Sequence, residues 1–149
     1  MPLSKHHIDT NTGPVPVDFA GMASLLQEEL PKVSFALVLG SGAAGLIKPH
    51  SDLDIAVYWA SPMSGQEWLG LICAVEDMHQ DVRCDLGILN NAEPVYRFEA
   101  LKGRLVFVRD QSEWQRFFSL TCRLYELQMF HYRRQLRYRL ARMGLAVTC

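Results

Sequence analysis

Residues 40–57 read GSGAAGLIKPHSDLDIAV: a glycine-serine turn, ten further residues, then two aspartates separated by a single leucine. The tail of this stretch continues as DLDIAVYW, residues 52–59. As a strand it places Asp52, Asp54, Ala56 and Tyr58 on one face and Leu53, Ile55 and Val57 on the other, because side chains alternate with a period of two. Both aspartates then point the same way. Upstream, FALVLG at residues 35–40 reads as a short buried strand. The turn GSGAAG opens a short helix ending near Ile47, since two glycines bracket the alanines and Pro49 blocks continuation. Strand, turn, short helix and acidic strand make an α/β chain.

The flanking segments extend that reading. Asp18 caps a helix to about Leu30, in which Phe19, Met22, Leu25, Leu26 and Leu30 recur at helical spacing and Pro31 stops the run. A helix from about Ser64 to His79 is carried by Trp68, Leu71, Ile72, Val75 and Met78. DVRCDLGIL, residues 81–89, is a third strand with Arg83, Asp85 and Gly87 on one face, so a third carboxylate interrupts an apolar element. Pro94 starts a short helix to about Leu101, and RLVFVRD from Arg104 is a fourth strand. A long helix from Ser112, its expected cap, to about Met143 closes the chain. Its stripe of Phe117, Leu120, Leu124 and Leu127 is expected to pack on the domain. Residues 1–17, with three prolines, read as a flexible arm, and 18–149 as a single domain.

The 149 residues, 49% hydrophobic and 21% charged, suit one compact domain. A chain of this size buries enough surface to need no disulfide or structural metal. Cys73, Cys84, Cys122 and Cys149 form no CxxC pair and no zinc-like cluster, which favours reduced thiols. No apolar run approaches the ~20 residues of a membrane span, and the N-terminus lacks a signal-peptide core. A soluble cytoplasmic protein is expected. A net charge of −1 argues against nucleic-acid binding through overall basicity. The charge is uneven, however: from Arg116 to Arg142 there are seven arginines against one acid, Glu126.

Asp52 and Asp54 from one strand and Asp85 from another bring three carboxylates toward one point. Such like charges repel and raise one another's pKa unless cations neutralise them. Oxygen ligands favour Mg²⁺ or Mn²⁺, and paired ions of this kind clamp the attacking and leaving oxygens in phosphoryl displacement. The glycine-serine turn complements them, because backbone N–H groups entering a helix attract phosphate and the Ser41 hydroxyl adds a donor.

The pattern Gly40, Ser41, ten residues, Asp52-Leu53-Asp54, followed by Asp85 in RCDLGIL, resembles the signature of the DNA polymerase β-like nucleotidyltransferase superfamily. The short length, SDLDIAV and the downstream EPVYRFEALKGRLVFVRD resemble its minimal nucleotidyltransferase branch, the MntA-type antitoxins paired with HEPN-domain toxins. The resemblance spans about Phe35 to the final helix. It implies a small mixed sheet flanked by helices, with ATP and Mg²⁺ used to move AMP onto a tyrosine of a HEPN ribonuclease toxin and silence it. By position, Asp52, Asp54 and Asp85 are the implied catalytic and metal-binding residues, and Gly40 and Ser41 the triphosphate-binding ones. Many relatives carry arginines within the turn, where this chain has Gly42 and Ala44; Lys48 or Arg83 is the expected substitute.

Two alternatives stay open. One is an antitoxin that neutralises its toxin by binding alone. The other is a nucleotidyltransferase acting on a small molecule, although the chain offers no obvious second substrate domain. His50 beside Ser51 and Asp52 reads as a loop residue, since Mg²⁺ prefers oxygen. HYRRQLRYRLAR, residues 131–142, reads either as a solvated helix face or as a surface for the toxin, with direct RNA binding the weaker option.

Overall fold

The computed structural model describes residues 13–80 and 82–145. In chain order these form β1 (Val15–Pro16), α1 (Phe19–Glu29), β2 (Val33–Leu39), a 3-10 turn (Gly40–Ala44), β3 (Leu46–Ile47), β4 (Leu53–Trp59), α2 (Gly65–Met78), β5 (Cys84–Ile88), α3 (Pro94–Leu101), β6 (Arg104–Val108) and α4 (Gln111–Arg142). The main sheet runs β5-β4-β2-β6. Its β4–β5 pair is parallel and the other two pairs are antiparallel, so the sheet is mixed.

Alternation along β4 divides the core in two. Ile55 and Val57 pack with Met22, Leu26, Leu71 and Val75, the buried stripes of α1 and α2. Ala56 belongs to a second cluster with Phe35, Leu37, Leu89, Ala100 and Phe117, beneath α3 and α4. Asp54 stands on this second face, at the end of β4 that these residues leave uncovered.

The starts of α1, α2 and α4 are fixed by side chains. Asp18 caps α1 by accepting from the Gly21 N–H at 2.8 Å. Its own N–H donates to Nε2 of the buried His79 at 2.9 Å, and the other ring nitrogen lies 2.7 Å from the Val75 carbonyl. His79 thus joins the start of α1 to the end of α2. At the other end of α1, Arg109 donates to the Leu26 carbonyl at 2.8 Å and to the Val33 carbonyl at 3.1 Å. Ser64 and Glu67 form a reciprocal capping box on α2.

Four expectations are corrected. The turn helix ends at Ala44, because Gly45 adopts φ +105° and Leu46–Ile47 then pairs with Val15–Pro16 as a small antiparallel ribbon. Residues 1–12 of the expected arm lie outside the described residues, but Val15–Val17 is tied down by that ribbon and by Val17 N–H donating to the Gly45 carbonyl at 2.9 Å. Asp110, not Ser112, caps α4, accepting from the Glu113 N–H. The expected α4 stripe is buried only in part: Phe117 is covered, whereas Leu120 and Leu127 are 43% and 54% exposed. Length explains this, since a helix of 32 residues extends ~48 Å and a five-residue strand only ~17 Å. Among the described residues, the stacked pair Phe98–Tyr125, with centroids 3.7 Å apart, is the last aromatic pair between α4 and the domain.

Candidate active site

Register brings the carboxylates together. In the parallel pair β4–β5, Asp54 lies opposite Asp85, on strands ~4.8 Å apart, so both stand on one face. Asp52 is exposed one residue before β4. On the other side of Asp54, its antiparallel partner is Leu39, the last residue before the turn. Gly40 follows at φ +63°, and a Cβ added there would lie 3.4 Å from Asp54 Oδ2. Glycine serves both needs, tolerating the left-handed backbone and leaving the carboxylate uncrowded. Ser41 is half-buried beside it.

Three side chains register the same anionic centre. Partial burial raises the Asp54 pKa, and the charges of Asp85 and then Asp52 raise it further. Burial first, then Glu76, Asp85, Asp54 and Asp52, pushes the Cys84 thiol up to about 12. The Tyr96 phenol is raised by burial and then by Asp85 and Asp54. Among the described residues no cation pairs with the three aspartates; the two ion pairs are Lys32–Glu67 and Lys102–Glu99. Nor are any three His, Cys, Asp or Glu side chains among them gathered closely enough to hold an ion as they stand. The donor chemistry still suits a hard divalent cation: three unpaired carboxylates, all oxygen, in mutual repulsion.

Lys48 lies on the Asp52 side. With His50, Arg83 and Asp52 it lines an open cleft of about 260 Å³, which neither Gly40 nor Ser41 lines. Two cations thus stand together beside the acidic centre rather than within the turn. Position 42 has no space for one: Gly42 is buried, and a Cβ there would lie 3.0 Å from Leu53, 3.2 Å from Val38 and 3.7 Å from Val17. Ala44 is exposed.

Two residues escaped the sequence reading. Glu76 accepts from the Cys84 N–H at 3.0 Å, holding the entry of β5 and hence Asp85. Tyr96, on α3, lays its hydroxyl against Gly87, where an added Cβ would clash with it. A glycine inside a strand was the available sign of that close approach.

The family model described as polymerase beta, nucleotidyltransferase, matches residues 22–112. The chain belongs to this family. No curated protein matches it by sequence. This nucleotidyltransferase is also similar to solved structures. One, a toxin–antitoxin complex with AMP-PNP, has TM-score 0.61 and 22% identity over 87% of this chain and 99% of that one. A second, the MNT antitoxin in complex with tri-AMPylated HEPN toxin from Shewanella oneidensis, has TM-score 0.56 and 20% identity over 86% and 96%. A mutant MntA-HpeT toxin–antitoxin gives 0.60 and 20% over 87% and 99%. At such identities these likenesses show a common fold. Among the described residues, no helix is long and apolar enough to cross a membrane.

Proposed function

We propose that this nucleotidyltransferase is the antitoxin of a HEPN/MNT pair, a cytoplasmic protein adenylyltransferase that transfers AMP from ATP to a tyrosine of its HEPN partner. The observation that carries the reading is the Asp54–Asp85 register pair with the Gly40 backbone against Asp54. The nearness of the Gly40 backbone to these carboxylates supports a triphosphate bound between turn and acidic centre. Family membership and the likeness to antitoxin structures support the same reading.

Asp52, Asp54 and Asp85 would hold Mg²⁺ or Mn²⁺, which supplies charge neutralisation to the transferring phosphoryl group. Gly40 N–H and the Ser41 hydroxyl bind the triphosphate. Lys48 and Arg83 receive its charge from the cleft on the Asp52 side. The acceptor phenol forms a bond to the α-phosphorus, the bond from that phosphorus to the α,β-bridging oxygen breaks, and diphosphate leaves. Asp85, on the exposed edge of the site, takes the phenolic proton. Beyond Tyr125, the exposed Phe130, Tyr132 and Tyr138 with five arginines offer the toxin a surface of the residue types that interfaces favour.

The test is incubation with labelled ATP, Mg²⁺ and the purified HEPN partner. Label is expected on a partner tyrosine and is expected to vanish with Asp52→Asn or Asp54→Asn. A partner that never acquires label, yet is neutralised equally by the wild type and both variants, rejects the reading. The crowding at Gly42, which removes one arginine position from the turn, favours the second reading, neutralisation by binding alone. That reading predicts the unlabelled outcome.

A further inference from the structure

The reaction proposed above does not use the Tyr96 hydroxyl, yet it lies on the strand face that carries Asp85. Its α3 position brings it over Gly87, which shares a strand face with Asp85 two residues earlier. The approach is so close that any Cβ at position 87 would overlap the hydroxyl oxygen. This places a phenol on the Asp85 side of the carboxylates, opposite the turn that adjoins Asp54. It is the side from which the proposed reaction takes its acceptor. The hydroxyl makes no hydrogen bond to another described residue, and Tyr96 is 38% exposed, so nothing commits it to a structural role. Burial, and then the charges of Asp85 and Asp54, raise the pKa of this phenol.

We propose that Tyr96 is an internal acceptor: without a partner tyrosine, the protein adenylylates its own Tyr96 in cis. The proposal rests on the nucleotidyltransferase reading above and uses the same nucleoside triphosphate. Tyr96 Oη bonds to the α-phosphorus, the bond to the α,β-bridging oxygen breaks, diphosphate leaves, and the phenolic proton passes to Asp85. The product is a phosphodiester on Tyr96 that fills the acceptor side of the site. Self-modification thereby closes the site to a partner until the ester is cleaved.

The experiment is incubation of the full chain with Mg²⁺ and ATP alone, followed by intact mass measurement and peptide mapping. A parallel reaction contains the HEPN partner. The expected result is a gain of one AMP unit mapped to Tyr96, reversed by phosphodiesterase, absent in Tyr96→Phe and Asp54→Asn, and formed at a rate unchanged by tenfold dilution. The same diester on protein expressed without the partner gives a readout independent of added nucleotide. Label on the partner in the parallel reaction, with none on Tyr96 in the reaction without it, overturns the proposal and leaves the nucleotidyltransferase reading standing. Label on neither overturns both. A rate that falls in proportion to dilution overturns transfer in cis.

Discussion

Asp54 and Asp85 are register partners across the only parallel strand pair among the described residues, and Asp52 lies one residue ahead of the same strand. Burial and these two neighbours raise the Asp54 pKa above its ordinary 3.8. Because the folded chain holds this proton more tightly than the unfolded chain does, folding is penalised as pH rises through 3.8. The penalty becomes complete above the raised native value. Asp54→Asn is therefore expected to match the wild type in stability below about pH 4 and to exceed it at neutral pH, as read by urea denaturation. Mg²⁺ should stabilise the wild type more than the variant, while AMP transfer falls by roughly 10²-fold or more.

The two arginine-free turn positions are expected to respond differently. Ala44→Arg, at an exposed site, should tighten ATP binding by about 1 kcal/mol, roughly fivefold, without loss of stability. Gly42→Arg should cost about 1–3 kcal/mol or more through overpacking against Leu53 and Val38. Calorimetric titration with a non-hydrolysable ATP analogue and thermal melts separate the two effects.

Truncation after Gln128 removes a stretch of α4 that, among the described residues, lies beyond its last aromatic pair with the domain. Folding free energy should change by less than about 0.5 kcal/mol. Affinity for the proposed HEPN partner, measured by surface plasmon resonance, should fall at least about tenfold, as for loss of several hot-spot side chains.

His79→Ala leaves the Asp18 N–H unpaired and opens a cavity where α1 meets α2. A loss of about 2–4 kcal/mol is expected by chemical denaturation. The pairing requires a lone pair on Nε2, so NMR should find a ring proton on Nδ1, directed at the Val75 carbonyl.

Periodicity made the sheet and helices legible: Pro94 and Leu101 bound α3 as read, and Ser64 caps α2. The two faces of β4 were likewise legible in the alternation of residues 53–59, with Asp54 and Ala56 opposite Asp85 and Gly87, whereas Asp52 lies just ahead of the strand. Features that depend on chain elements distant in sequence were not. The pairing of Val15 with Ile47 sets where the turn ends, and no local pattern announces it. Choice of Asp110 over Ser112 as cap depends on where β6 stops, a matter of two residues that propensity does not resolve. Tyr96 stayed hidden because its reach across Gly87 joins a helix to a strand. Leu120 and Leu127 misled because helical spacing marks an apolar stripe without stating how far a covering surface extends.

The projecting half of α4 also bears on how the proposed neutralisation of a HEPN toxin is measured. Beyond Tyr125 it carries five arginines against Glu126, with exposed aromatic rings between them. An arginine-rich helix of this kind can coat an RNA substrate, and a ribonuclease assay would then score shielding of the substrate as silencing of the enzyme. Counterion release makes such coating fade steeply with salt, whereas a covalent AMP on the toxin survives it. Cleavage assays run at two salt concentrations, with antitoxin removed after the reaction, separate the two behaviours in a single gel.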